Sequence, residues 1–189
     1  IMGPELIDNM RKQAQRFEAN FTDENVLSVE VSADRNFTIK TDSKNEYVAK
    51  SVIIATGASA NWLNIPSEQR LRGKGVSACA TCDGFFFKNK VVAIVGGGDS
   101  AMEESTYLTR FATKVYVLVR GAKEEMKASK IMQEEAMNNQ KIEFIFNTQI
   151  KEVLGEDFVT GLTLLNNKNN EEFNLDVNGL FLAIGHSPN

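Results

Sequence analysis

The stretch Val91–Ala101, VVAIVGGGDSA, determines the class of fold, because an apolar strand runs directly into a glycine-rich turn and a helical pattern. It matches G-x-G-x-x-A, in which the first glycine permits a tight turn, the second lets a pyrophosphate approach the backbone, and the alanine lets helix and strand pack. We assign Gly96, Gly98 and Ala101 to these roles. Free amides and the positive end of the following helix attract phosphates. The stretch predicts a dinucleotide site; a glycine turn without a ligand is the structural alternative.

Strands and helices alternate on the C-terminal side of this stretch. Two helices and three apolar strands are predicted, over 99–111, 115–119, 128–138, 143–146 and 179–185. Residues 150–175 change to a hairpin pattern with a polar turn at 166–170. This order predicts an α/β fold with a three-layer, Rossmann-like domain, in which helices pack on a parallel sheet that carries a small antiparallel insert.

The N-terminal part has a different pattern. One helix with an apolar face is predicted from Pro4 to Phe21, followed by short strands over 26–31, 37–40 and 47–49. An apolar run over 51–57 predicts a buried strand that ends in glycine. We interpret the irregular segment 58–75 as a crossing between domains.

The residue after the strand that ends at Val119 bears on the choice of nucleotide. An acid at that place accepts from the ribose 2′-hydroxyl of NAD, whereas an arginine suits the 2′-phosphate of NADP. Arg120 therefore favours NADPH, with a charge-assisted bond worth about 1.5–3 kcal/mol, unless it is only a solvated strand end. Charged residues of both signs follow: Lys123, Glu124, Glu125, Lys127 and Lys130.

The chain contains two cysteines, Cys79 and Cys82, in the motif CATC. A structural zinc needs four ligands, and the single histidine, His186, lies far away in the sequence, so we predict no metal site. Two buried inert thiols remain possible. We favour a redox pair, because thiols at this spacing can close a short disulfide and the first thiolate is stabilised if the motif opens a helix. Asp83 could shuttle the proton of such an exchange, or it could be a helix cap or a surface carboxylate.

Composition excludes several classes of protein. The net charge of −4 gives no electrostatic reason to bind nucleic acid or an anionic membrane. No apolar run approaches the roughly 20 residues of a membrane span, and the N-terminus lacks the pattern of a secretory signal. Two cysteines are too few for a secreted disulfide framework. We predict a cytoplasmic protein, in which a CxxC pair is catalytic or metal-binding rather than structural.

Four segments carry a resemblance to a known family: IATGA at 54–58, GVSACATCDG at 75–84, GGGDSAMEE at 96–104 and AIGHSPN at 183–189. Together they resemble the low-molecular-weight thioredoxin reductases, flavoenzymes of the pyridine nucleotide-disulfide oxidoreductase class. The cysteine motif with a glycine loop a dozen residues later is specific to that family. The chain departs from it near Arg120, since Gly121 stands where a second basic residue is common and the segment to Lys127 is about two residues longer.

The resemblance implies a thioredoxin-disulfide reductase, in which NADPH reduces FAD, the flavin opens the Cys79–Cys82 disulfide, and the dithiol reduces thioredoxin. It implies catalysis by the two cysteines with Asp83, and a homodimer. It also implies these cofactor contacts: Ala55, Thr56, Gly57, Gly96, Gly97, Gly98, Asp99, Ser100, Ala101, Glu103, Glu104, Arg120, Lys127, Ile184 and Gly185.

The resemblance also divides the chain into domains. Residues 1–64 correspond to part of a flavin-binding domain, 65–182 to an NADPH-binding domain that carries the CxxC pair, and 183–189 to a return crossing. The family's first flavin-binding G-x-G-x-x-G and its last flavin segment have no counterpart, so we expect an internal fragment with an incomplete FAD site that does not turn over by itself. Two alternatives are an NADPH-binding module without independent catalysis and a related flavoprotein disulfide reductase that serves a peroxiredoxin.

Overall fold

The computed structural model describes residues 2–189, which form two compact units that divide after Ala55. The first unit contains helix α1 (Gly3–Gln15) and an antiparallel sheet of β1 (Val26–Val31), β2 (Phe37–Thr41) and β3 (Glu46–Ala49), in the order β1-β2-β3. Proline in the first turn of α1 lacks only an N–H that has no intrahelical partner there. The predicted helix and three strands are confirmed, although the helix ends at Gln15.

The strand predicted over 51–57 is wrong. These residues are irregular, and the side chains of Ile53 and Ile54 are 92% and 76% exposed. A strand needs a hydrogen-bonded neighbour, and none of the strands formed by residues 2–189 pairs with this segment. Apolar composition alone therefore does not make a strand here.

The second unit begins at Thr56 and contains the remaining elements. In chain order they are β4 (Ala58–Ala60), α2 (Pro66–Leu71), β5 (Val76–Ser77), α3 (Ala80–Asp83), β6 (Val91–Val95), α4 (Asp99–Leu108), β7 (Lys114–Leu118), α5 (Lys130–Asn138), β8 (Ile142–Ile145), β9 (Thr148–Leu154), β10 (Gly161–Asn166), β11 (Glu172–Leu175), β12 (Gly179–Leu182) and β13 (His186–Pro188). The division into a flavin part over 1–64, an NADPH domain over 65–182 and a return crossing over 183–189 stays a prediction.

A five-stranded parallel sheet forms the centre of the second unit, in the order β5-β12-β6-β7-β8. Strand β6 lies between β12 and β7, so the turn that follows it opens beside the carboxyl ends of both neighbours. The predicted parallel sheet is confirmed, and the stretch 91–101 lies at its middle.

Side chains of the central strands alternate between two cores, as the period of a strand requires. On β6, Val92 and Ile94 pack with the helices, whereas Ala93 packs on the opposite face. The antiparallel sheet β11-β10-β9 covers that opposite face with four buried residues, Ile150, Val153, Leu162 and Leu164. Helices, parallel sheet and antiparallel sheet therefore make three layers, which confirms the predicted fold class.

An ion pair with a buried carboxylate stabilises the N-terminal part of the second unit. The side chain of Glu68 is fully buried, and its Oε1 lies 2.6 Å from Nη2 of Arg72. Its Oε2 accepts the backbone N–H of Asn64 at 2.9 Å. The guanidinium of Arg72 lies 3.8 Å from the ring centroid of Trp62. Trp62 therefore packs on this cluster.

The segment after the cysteines is packed against the sheet through one aromatic ring. Phe87 is buried and meets Phe181 of β12 edge to face, with ring centroids 5.1 Å apart. The ring also lies against Gly179, where an added Cβ would be 2.2 Å from its Cε1 atom. This contact requires glycine at the start of β12.

We expect Gly179→Ala to lower the free energy of unfolding by about 1–3 kcal/mol, because the buried Phe87 ring must shift. Gly98→Ala is the matched control, since a Cβ there has no atom within 4 Å. Its cost should stay below about 1 kcal/mol, from the poorer helix cap. Urea unfolding at neutral pH measures both, and equal losses would contradict the role of the ring.

Candidate nucleotide groove and dithiol site

The glycine loop turns between the end of β6 and the start of α4. An added Cβ on Gly96 would lie 2.4 Å from the carbonyl oxygen of Ala183 and 2.8 Å from Cβ of Ala101, so no side chain fits there. Ala101 itself is fully buried. Gly98 differs, because a Cβ there would meet nothing within 4 Å. The first glycine and the alanine therefore serve close packing, and the space beside Gly98 is open.

A groove of about 1270 Å³ lies over the carboxyl ends of β6, β7 and β12. Ligands of open α/β sheets bind at this edge, and small-molecule sites typically enclose about 300–1,000 Å³. The groove brings together nine of the predicted cofactor residues: Gly96, Gly97, Gly98, Asp99, Ser100, Arg120, Lys127, Ile184 and Gly185. Residues close together in space but far apart in sequence therefore line one cavity.

The segment after β7 is held over the groove by backbone bonds to the glycine loop. The N–H groups of Lys127 and Ala128 both donate to the carbonyl of Gly97, at 2.8 and 3.0 Å. The Ser129 N–H donates to Oδ1 of Asp99 at 2.6 Å. These bonds fix Lys127 beside the loop, and Arg120 lines the same groove. Both side chains are exposed, and neither forms an ion pair with any residue in 2–189.

The two cysteines form a disulfide at the start of α3. Cys79 is the residue before the helix, and its Sγ accepts the N–H of Cys82 at 3.2 Å. The hydroxyl of Thr81 lies 3.4 Å from the same sulfur and must be the donor, because a disulfide sulfur carries no hydrogen. Cys79 is half-buried, whereas Cys82 is exposed. The redox reading is thus supported by a closed pair, and Thr81 is a neighbour that motif reasoning did not single out.

Comparison with known proteins agrees with this arrangement of groove and disulfide. The family model described as pyridine nucleotide-disulphide oxidoreductase matches residues 4–189. The chain belongs to this family. Among its curated relatives, the thioredoxin reductase of Mycolicibacterium smegmatis is 48% identical over all of this chain and 59% of its own length. The bifunctional thioredoxin reductase/thioredoxin of Mycobacterium leprae is 50% identical, with 40% of its length covered.

A solved structure of a thioredoxin reductase is also similar to this chain. The thioredoxin reductase from Giardia duodenalis aligns with 98% of this chain and 60% of its own, at 40% identity and a TM-score of 0.83. The chain thus spans about 60% of the length of the Mycolicibacterium smegmatis and Giardia duodenalis proteins. Membership of the pyridine nucleotide-disulphide oxidoreductase family implies a nicotinamide nucleotide and a flavin as cofactors.

The two cofactors fit the described residues unequally. The groove suits a nicotinamide dinucleotide, because an open space beside Gly98 and two cationic side chains meet at one sheet edge. Residues 2–55 contain one helix and a three-stranded antiparallel sheet, with no parallel strand that leads into a glycine turn. Residues 2–55 therefore lack the strand and glycine turn that the groove offers to a nicotinamide dinucleotide.

Thr56 and Gly57, two further predicted cofactor residues of the second unit, do not line the groove. Thr56 and Gly57 flank a ribbon of β4 and β13, where the Thr56 hydroxyl donates to the carbonyl of Asn189 at 2.7 Å. The ribbon joins the groove through Gly185, whose carbonyl accepts the N–H of Asn61 at 3.0 Å. Ala55 ends the first unit. None of these three residues lines the groove, and their cofactor contacts stay a prediction.

Glu103 and Glu104 line a second pocket, of about 460 Å³, with Thr81 of the CxxC helix. Burial raises the pKa of Glu104 above its ordinary value, although the Ala80 N–H and His186 lower it in part. Its Oε2 is buried and has no hydrogen-bond partner among residues 2–189. Glu104 therefore lies behind the dithiol helix, and the structure does not place it at the groove.

Asp83 and His186 are two further titratable residues in the sequence motifs described above. Asp83 is half-buried, and its carboxylate has no hydrogen-bond partner among residues 2–189; its catalytic role stays a prediction. His186 is exposed and pairs with Ala60 in the β4–β13 ribbon.

Within 2–189, no cluster of three or more His, Cys, Asp or Glu side chains could hold a metal ion. Over the same residues, no helix has the length and apolar character to cross a membrane.

Gly98→Ala should weaken binding of a nicotinamide dinucleotide by at least about tenfold, because the new methyl group would occupy the space in which the pyrophosphate approaches the backbone. The methyl group has no protein atom within 4 Å, so the surrounding protein should not be disturbed. Isothermal calorimetry with NADPH measures the affinity. Unchanged affinity in a folded variant would show that the phosphates do not approach this backbone.

Glu104→Gln should stabilise the protein increasingly as the pH rises. The raised pKa of Glu104 means that its ionisation in the folded state costs stability, so the variant gains little near pH 4 and most near neutrality. Urea unfolding from about pH 4.5 to pH 7.5 measures the difference. Glu103→Gln removes the same charge from an exposed neighbour, and an identical pH trend in both variants would contradict burial as the cause.

Proposed function

We propose that this chain supplies the nucleotide groove and the dithiol of an NADPH-dependent thioredoxin reductase. The observation that carries the proposal is a CxxC disulfide in the same compact unit as a glycine-loop groove. NADPH is favoured by Arg120 and Lys127, two cations without an ion-pair partner among residues 2–189. A bound flavin, as FAD, would relay two electrons between nucleotide and disulfide.

The dithiol chemistry follows from the cysteine pair itself. Two electrons and two protons open the Cys79–Cys82 disulfide to two thiols. One thiolate then attacks a sulfur of the partner's disulfide and forms a mixed disulfide, and the second thiolate attacks that bond, which restores the Cys79–Cys82 disulfide and leaves the partner with two thiols. The donors to Sγ of Cys79, from Cys82 and Thr81, favour a thiolate at that sulfur. Asp83 is the proposed carrier of protons, since it follows Cys82 directly.

Thioredoxin is the proposed partner. The curated relatives carry the name thioredoxin reductase, and one carries the name of both proteins. Phe85 and Phe86, three and four residues after Cys82, are 66% and 69% exposed, and exposed aromatic side chains beside a reactive site suit contact with another protein. We also propose a cytoplasmic location, because a CxxC pair that must reopen is typical of reducing compartments. The homodimer that the family resemblance implies is part of the same proposal.

The full-length protein that contains these residues, supplied with NADPH, FAD and thioredoxin, should produce two thiols per NADPH consumed. Cys79→Ser and Cys82→Ser should each lower turnover by at least about 100-fold, because neither single thiol can complete the exchange. Thiol release measures turnover, and calorimetry should show nearly unchanged NADPH affinity. Lys168→Ala, in an exposed turn, is the control.

The outcome separates the alternatives. NADPH binding without reduction of any disulfide would support a nucleotide-binding module and refute the reductase. Reduction of a peroxiredoxin but not of thioredoxin would keep the dithiol chemistry and reject the proposed partner.

A further inference from the structure

The groove contains a carboxylate that the assignment to NADPH does not explain. Glu125 lines the groove together with Arg120, Gly121 and Lys127. We propose that Glu125 weakens the preference of the groove for NADPH over NADH, by holding a negative charge at the end of the groove where these cations lie. The inference rests on the proposed function, because it takes the groove as the nucleotide site.

A backbone bond fixes the position of this carboxylate. Oε2 of Glu125 accepts the N–H of Ala122 at 2.8 Å, across the short turn that follows β7. That bond holds the side chain directly over the backbone of Gly121. An ideal Cβ on Gly121 would lie 2.1 Å from Oε2 and 3.2 Å from Cδ of Glu125. The carboxylate therefore takes this position only because residue 121 has no side chain.

No positive side chain among residues 2–189 cancels the charge of Glu125 by an ion pair. The other charged residues of the groove are Asp99 and Lys151. Asp99 accepts the Ser129 N–H, and Lys151 pairs with Glu172, so both have partners. The two cations without a partner and the carboxylate of Glu125 thus act together on whatever occupies this end of the groove.

The two dinucleotides respond to a carboxylate in opposite ways. The ribose 2′-hydroxyl of NADH is a donor that a carboxylate can accept. The 2′-phosphate of NADPH carries nearly two negative charges at neutral pH and is repelled by it. Arg120 and Lys127 attract the same phosphate. Glu125 therefore reduces the preference for NADPH that these cations create, and the groove accepts NADH better than they alone would allow.

Two substitutions remove the charge from this position by different means. Glu125→Gln neutralises it and keeps the shape of the side chain. Gly121→Ala keeps the charge but displaces the carboxylate, because the new Cβ occupies its position; the backbone of Gly121 is not in the left-handed region, so alanine adds no backbone strain. Glu124→Gln is the matched control, since Glu124 is exposed in the same turn and does not line the groove.

Isothermal calorimetry of the 189-residue chain with NADPH and with NADH tests the proposal. Glu125→Gln should raise the affinity for NADPH by about tenfold at low salt, and Gly121→Ala should change it in the same direction. NADH affinity should change by less than about threefold or fall. The gain for NADPH should shrink in about 0.5 M salt, because an exposed charge is screened.

Three results would overturn the proposal. Equal shifts for NADPH and NADH, or an effect of Glu124→Gln as large as that of Glu125→Gln, would remove the specific role of Glu125 and leave the groove assignment intact. Absence of binding of either dinucleotide to the unchanged, folded chain would overturn the groove assignment itself, and this inference with it.

Discussion

The close approach of three backbone segments at Gly96 is the constraint on which the site depends. Any Cβ at this position would collide with the carbonyl of Ala183 and with the side chain of Ala101. The Gly96 N–H donates to Leu118 at the end of β7, and the Ala183 N–H donates to Val95 at the end of β6. The ends of three neighbouring strands and the start of α4 are thereby held together. The groove is the space above this junction, so backbone packing fixes the positions of the groove residues before any ligand is present.

Helix α4 connects this junction to the dithiol. Its first turn follows the glycine loop, and its last residue, Leu108, lies 3.2 Å from where a Cβ on Gly84 would be, directly after the CxxC helix. Neither cysteine lines the nucleotide groove. The groove and the disulfide are therefore separate sites within one compact unit. This separation agrees with the flavin that membership of the family implies as an electron carrier.

Sequence patterns predicted the parts of the molecule that depend on periodicity and on single-residue sterics. The side chains of β6 alternate between the two faces of the sheet because a strand has a period of two residues. The G-x-G-x-x-A turn depends on the small size of glycine. Both patterns predicted the central part of the sheet correctly. The strand over 51–57 failed, because a strand depends on a partner that its own composition does not reveal. Thr81 and Glu125 were not singled out for their contacts, since each acts through one side-chain bond inside a turn. Such bonds depend on rotamers, which neither spacing nor hydropathy encodes.

The two units also differ in how their stability arises. Apolar residues of α1 such as Leu6, Ile7 and Met10 are exposed, and no residue of that helix is buried. The second unit instead buries two apolar clusters, one on each face of its parallel sheet. Since burial of apolar area is the main favourable term in folding, most of the stability of the chain resides in the second unit. Every residue of the groove and both cysteines belong to it, so unfolding measurements on site variants report on the same cooperative core that positions the chemistry.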